Sequence, residues 1–260
     1  MIDAHVHVWA AQSGGFPPEE FLRVAEPEGV TRAVLVQPAR YGCDNRYLLD
    51  AIAARPGVLA GVAVVDCADP RLTEQARSLA AAGVRGFRVP PGADLPGTAR
   101  LWTCAGDAGM PVCLLADPDA LAHVDRMCTR FPDTTVVIDH LARIGMDGEI
   151  READVRSLCA PAGHPRVYVK VSAFYALGAR RPPYRDLEPL VHRVYDAFGA
   201  RRLLWGSDAP FQLRGGHTYA GSLEFAREGL GFLSAEGRAW LLGGTAEALF
   251  FAPLPREEER

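Results

Sequence analysis

Two histidines, His5 and His7, stand two residues apart in the run IDAHVHV at the start of the chain. Side chains of a strand alternate between faces, so in a strand both imidazoles lie on one side. Each ring has two polar nitrogens that need partners, and two such rings buried side by side are hard to satisfy without a ligand or a chemical task. His140 follows TVVID, and Asp208 follows LLWGS. Imidazoles beside a carboxylate make either a divalent-metal site or a proton-transfer site. The plainer readings are satisfied core histidines, an N-cap in a turn for Asp208, and a loop-stabilising role for Asp139 next to His140.

These groups act together only if folding brings them to one place. Short β-branched runs begin at Ile2, Arg32, Leu59, Val84, Pro111, Thr135, Arg166 and Arg202. Each is too short and too apolar for a surface helix and reads as a strand buried on both faces. Between them lie segments with apolar residues three and four apart, such as the one from Arg46 (Asp44 its expected N-cap) and the one from Pro70. Gly83, Gly109 and Gly199 close three of these helices. Eight alternating β and α units in about 250 residues predict a (β/α)8 TIM barrel, an α/β fold in a single domain. A doubly wound open sheet is the alternative, but the glycine-rich turn of that fold is missing after the first strand. We take residues 1–252 as the barrel and 253–260 as a charged C-terminal tail.

In such a barrel, reactive groups sit at the C-terminal ends of the strands. That rule puts His140 at the mouth of strand 6 and Asp208 at the mouth of strand 8, the neighbour of strand 1. Arg88 ends strand 4, and its guanidinium suits a carboxylate or a carbonyl oxygen as well as a loop acid. Lys170 and Ser172 share a face of strand 7; a lysine there is either polar lining or a buried partner for an acid such as Asp139 or Asp208. Gln37 ends strand 2, with Tyr41 and Asn45 after it as pocket-shaping or turn residues. Tyr175, Arg143, Phe211 and Tyr219 are further candidates for the mouth.

The chain has 28 basic and 32 acidic residues, a formal net charge of −4, and 48% hydrophobic residues. These proportions exclude wholesale disorder, and the lack of a basic excess excludes a nucleic-acid partner. Lys170 is the sole lysine. No run reaches about 18 apolar residues, so no membrane partner is expected. Nothing resembles a leader, and the six cysteines form no C-x-x-C pair. A cytoplasmic protein with small buried thiols and a small-molecule substrate is the expectation; its oligomeric state is not written in the sequence.

The runs MIDAHVHVW, GVRGFRV, VIDHLAR, VYVKVSAFYAL, LLWGSDAPF and GGTAEALFF occur in this order. Together they resemble the amidohydrolase-related family of the amidohydrolase superfamily, closest to its pyrone-dicarboxylate lactonase and sugar-lactone hydrolase branch. The resemblance implies a mouth built from His5, His7, His140 and Asp208. In many relatives the H-x-H pair, a strand-5 histidine and the strand-8 aspartate hold a divalent ion. Here strand 5 reads PVCLLADP and ends at Leu115, with Cys113 and Asp117 near, and no histidine. His5, His7 and Asp208 would still be three ligands for zinc or manganese, but the lactonase branch dispenses with the metal, so no tightly bound cofactor is the expectation. The arginine that follows strand 7 in the pyrone-dicarboxylate enzymes is absent: Ala176 and Leu177 stand there, Tyr175 is the polar group, and Arg180 and Arg181 come later. That favours a less charged or more aromatic substrate than a dicarboxylate.

The implied activity is hydrolysis of a small lactone, with Asp208 as general base and His140 and Arg88 on the carbonyl oxygen. His5 and His7 position the water or bind a metal. Two readings compete with it. One is metal-dependent decarboxylation of an aromatic or enoic acid, against which the missing strand-5 histidine counts. The other is a ligand-binding barrel without catalysis.

Overall fold

The computed structural model describes residues 1–11, 14–89 and 98–254. Its strands are β1 (Ile2–Val6), β2 (Arg32–Val36), β3 (Leu59–Ala63), β4 (Val84–Val89), β5 (Val112–Leu114), β6 (Val136–Ile138), β7 (Val167–Ser172) and β8 (Leu203–Gly206). All pair in parallel, in chain order. The ring closes where β8 meets β1, through a bridge between Val6 and Ala209 and backbone bonds from His7 N to Ala209 O (2.8 Å) and from Asp208 N to His5 O (2.9 Å). The TIM barrel expected from the spacing is therefore the fold.

Between the strands run α1 (Pro18–Ala25), α2 (Arg46–Ala54), α3 (Leu72–Ala81), α4 (Thr98–Ala108), α5 (Leu121–Arg130), α6 (Glu152–Cys159) and α7 (Glu188–Phe198). Asp44 falls one residue short of the expected cap. Asn45 occupies the N-cap position of α2, and Asp44 instead accepts the Arg46 N–H (3.2 Å) while pairing with its guanidinium. Gly83, Gly109 and Gly199 all have positive φ, as the ends of α3, α4 and α7 require.

Alternation along the strands separates two apolar groups. Val34, Val36, Ala60, Val62, Cys113, Val137 and Leu204 pack inside the ring with Ile2 and Ala4. Ala246 and Phe250 of a C-terminal helix, Thr245–Phe250, join this inner cluster and cap the end away from the strand tips. Ala33, Leu35, Phe87, Val136, Ile138, Val169, Val171 and Trp205 point outward to the helices. Among the described residues no helix is long and apolar enough to cross a membrane. The expectation of small buried thiols holds for Cys104, Cys113 and Cys128, whereas Cys43 is exposed because it sits in the turn before α2. Burial pushes the Cys113 thiol up to about 12. Residues 255–260 of the expected tail lie outside the described residues.

Candidate active site

The strand tips gather His5, His7, His140 and Asp208, all buried, at the C-terminal end of the barrel. Period-two alternation alone would not have aimed the first two. Ile2 and Ala4 already point inward, which would send residues five and seven out to the helices. Between Asp3 and Val6 the register slips: three steps along β1 match two along β2, from Ala33 to Leu35. This bulge makes Ala4 and His5 both face inward, and His7 follows.

Asp3, on the outer face, ties the arrangement down. Its carboxylate accepts from His5 N (3.1 Å), Ser207 N (2.9 Å) and the Tyr219 hydroxyl (3.0 Å). Gly206 lets β8 lie against β1: a Cβ there would stand 2.8 Å from His5 Cβ and 2.9 Å from His5 N.

Asp208 comes two residues after this contact, with φ +61°. Its Oδ2 accepts from the Tyr175 hydroxyl at 2.7 Å. Among the described residues its Oδ1 has no hydrogen-bond partner, and it lies 3.3 Å from His7 Nε2 and 3.6 Å from His5 Nε2. Burial pushes the Asp208 carboxyl up, but in the acid range the protonated imidazoles around it, His140 first, more than reverse this, so it stays ionised well below the usual carboxylate range. The Tyr175 phenol is raised by burial and then by Asp208, so it remains a donor.

His7 is fixed by its other nitrogen, Nδ1, 2.7 Å from the Val36 carbonyl. Phe211 packs edge-on against the same ring. Beneath, Lys170 Nζ lies 2.9 Å from Asp139 Oδ1 and 3.2 Å from His5 Nδ1, all three fully buried. Burial, then the adjacent ammonium, lowers His5 well below the usual imidazole range. Burial would raise Asp139, but Lys170 and His5 hold it well below the normal carboxylate value.

His140 rides on an unusual backbone. His140, Leu141, Ala142 and Arg143 have φ of 54°, 52°, 52° and 55°, a left-handed turn of four L-residues. Isolated left-handed residues other than glycine are strained by about 1–2 kcal/mol each, so the surrounding packing imposes this turn. His140 Nδ1 meets Ser172 Oγ at 2.8 Å, and its Nε2 stands 4.0 Å from Asp208 Oδ2. Burial lowers His140 from the ordinary value, so its ring is neutral at pH 7.

Above these groups is a cavity of about 210 Å³. Its polar wall is His7, Arg88, His140, Arg143, Tyr175 and Asp208; its apolar wall includes Leu115, Met146, Leu177 and Phe211. Arg88 is steadied by donating to the Gln37 backbone carbonyl (3.1 Å), and Arg143 pairs with Asp117.

Several expected substrate contacts fall elsewhere. Lys170 is sealed beneath the imidazoles by its ion pair with Asp139, and Ser172 faces His140 from below. The Gln37 side chain turns away to the carbonyls of Gly42 and Asp44, so only its backbone touches the site. The Tyr41 hydroxyl accepts from Ala10 N outside the cavity, and Asn45 clasps Val64. Tyr219 lies on the outer face, on Asp3. Arg180 reaches the Met146 carbonyl, so it does not replace the missing arginine. The bond from Tyr175 to Asp208 and the cavity position of Met146 left no signal in the sequence.

Among the described residues, two groups of donor atoms lie close enough for an ion: His5, His7 and Asp208; and His5, Asp139 and His140. In the second, Lys170 already holds Asp139. In the first, the donor atoms are 3.2, 3.3 and 3.6 Å apart. Tetrahedral zinc with bonds of about 2.0–2.2 Å spaces its ligands by about 3.3 Å, so these three fit by distance. Leu115 at the end of β5 offers no fourth donor.

A family model described as amidohydrolase matches residues 2–252. An L-fucono-1,5-lactonase of Burkholderia ambifaria is 31% identical, over 94% of this chain and 93% of its own. A 2-pyrone-4,6-dicarboxylate hydrolase of Comamonas testosteroni is 30% identical, over 80% of this chain and 76% of its own. An amidohydrolase of Burkholderia multivorans with bound zinc superposes with a TM-score of 0.86 at 25% identity, covering 97% of this chain and 99% of that one.

Proposed function

The chain belongs to the amidohydrolase family and is a hydrolase, and from that membership we propose that it opens a small lactone by general-base activation of water. One observation carries the proposal. Asp208 Oδ1 is ionised, buried and without a donor, and it faces His7 Nε2 across 3.3 Å at the cavity floor. A buried, ionised oxygen of this kind calls for a donor, and water is the donor a hydrolase needs.

In this reading water gives one proton to Asp208 as its oxygen adds to the lactone carbonyl carbon. Arg88 and the neutral His140, donating through Nε2, stabilise the oxygen that gains charge. Ser172 sets that tautomer by donating to Nδ1. When the ring C–O bond breaks, the leaving oxygen takes the proton back from Asp208, and the product is an open-chain hydroxy acid. Tyr175 holds Oδ2, which directs Oδ1 at the water. If a divalent ion is bound, His5, His7 and Asp208 are its ligands, and it would acidify the water.

A cavity of about 210 Å³ suits a single-ring substrate. The relatives act on lactones ranging from a sugar acid to a pyrone dicarboxylate, as their names state. Tyr175 stands where the pyrone-dicarboxylate enzymes carry an arginine, and Arg143 is already paired with Asp117, so a substrate less charged than a dicarboxylate, with its carboxylate at Arg88, is the better fit; the exposed Arg214 near Tyr175 is the remaining cation at the mouth. The test is a panel of sugar and unsaturated lactones followed by acid release with a pH indicator. Asp208→Asn should abolish turnover while the circular dichroism and melting temperature stay those of the parent. Near-normal turnover in that variant would remove Asp208 as the base.

A further inference from the structure

The groups beneath the cavity include two that can play only one hydrogen-bonding part. The Lys170 ammonium can only donate, and the Val36 carbonyl can only accept. Between them the direction of every hydrogen bond follows. Lys170 Nζ is 3.2 Å from His5 Nδ1, and a hydrogen on that nitrogen would point at a cation. His5 Nδ1 therefore carries the lone pair, and the hydrogen of the neutral ring is on Nε2. At the other end His7 Nδ1 is 2.7 Å from Val36 O and must be the N–H. The two Nε2 atoms are 3.2 Å apart, a hydrogen bond only if one carries hydrogen and the other does not. Both ends require the same answer: His5 donates and His7 accepts.

We propose that Lys170, held by its ion pair with Asp139, is a positioning residue that heads a one-way chain of donation from Lys170 to His5, from His5 to His7 and from His7 to the Val36 carbonyl, fixing His5 as the Nε2–H tautomer and His7 as the Nδ1–H tautomer. Two consequences follow. His7 Nε2 and Asp208 Oδ1 are left as the acceptor pair at the cavity floor. The third atom of the metal-spaced trio, His5 Nε2, is blocked by its own hydrogen. A metal that takes His5 Nε2 must move that hydrogen to Nδ1, against the ammonium. Lys170 thus weakens metal capture at a site whose distances suit an ion. The role of the acceptor pair rests on the lactonase reading; the tautomers do not.

The experiment uses the full chain, freed of metal by chelation and labelled with 15N in its histidines. Long-range 1H–15N correlation reports which ring nitrogen bears hydrogen, and single histidine replacements assign the signals. The expected result is Nε2–H for His5 and Nδ1–H for His7. In Lys170→Met, His5 should turn to Nδ1–H, because Asp139 Oδ1, 3.6 Å away, becomes its nearest partner. Zinc affinity, read by competition with a chromogenic chelator, should then rise about tenfold or more, the scale at which partners of ligands act. His5 found as Nδ1–H in the parent protein overturns the proposal, as does unchanged zinc affinity in a folded Lys170→Met. If that variant does not fold, the parent spectrum alone decides. Neither readout involves turnover, so lactone inactivity with the expected tautomers would sink only the proposed reaction, and reversed tautomers in an active lactonase would sink only this inference.

Discussion

Tyr175→Phe removes one O–H and almost no volume from the site. The lost group donates to Asp208 Oδ2 at 2.7 Å, in a place that is mostly buried. A hydrogen bond to a charged partner contributes about 1.5–3 kcal/mol net, and one pKa unit is about 1.4 kcal/mol. The donor favours the ionised carboxylate, so its removal should raise the Asp208 pKa by about 1–2 units. The parent carboxyl lies well below the usual range, and the variant should move toward it. The assay is a 13C carboxyl titration of aspartate-labelled protein, with the Asp208 signal identified by its loss in Asp208→Asn. The acid limb of kcat/KM should shift by the same amount. The plateau should also fall, since an untethered carboxylate misplaced by about 1 Å costs about 10²-fold. An unmoved titration, in a variant that melts like the parent, would refute the idea that Tyr175 sets the state of the base.

Gly206→Ala sets a Cβ 2.8 Å from His5 Cβ, against backbone that cannot rotate away; we expect a loss of about 1–3 kcal/mol in denaturant unfolding and a larger proportional loss in kcat. Arg88→Met should lower kcat by about 10²–10³-fold with a smaller change in KM, as for removal of an oxyanion donor, measured on the best lactone of the panel. Acid unfolding gives a third check: folding holds Asp139 well below its unfolded value of 3.8, so the unfolded chain binds the extra proton and stability falls as pH drops through that value and below. In the double variant Asp139→Asn/Lys170→Met this acid slope should shrink, seen in denaturant midpoints from about pH 5 down to about pH 2.

The barrel was legible because eight β-branched runs recur at near-regular spacing, and the strand-tip rule then selected His5, His7, His140 and Asp208 with no contact known. The structure brings these four together within hydrogen-bonding or ion-pairing distances. Legibility stopped where tertiary packing overrides local preference. Nothing in IDAHVHV announces a bulge, yet without it the imidazoles would face the helices. Leu141, Ala142 and Arg143 have no left-handed propensity, so the turn carrying His140 is invisible in HLAR. Lys170 was placed on the inward face of strand 7, but the choice between lining and burial depended on Asp139, 31 residues earlier. Tyr175 meets Asp208 across the tips of β7 and β8, a pairing no local pattern encodes.

The reverse-wound turn at 140–143 also shapes which substitutions the protein can accept. At Leu141, Ala142 and Arg143 the backbone admits glycine, asparagine or aspartate more readily than any β-branched residue, whatever the available space. A library randomised over these three positions would therefore be sorted first by main-chain handedness and only then by chemistry. Leu141 and Ala142 are fully buried among apolar residues, so burial narrows their polarity as well, and Arg143, on the cavity wall, is the position where the pocket rim can change without moving the histidine that anchors it.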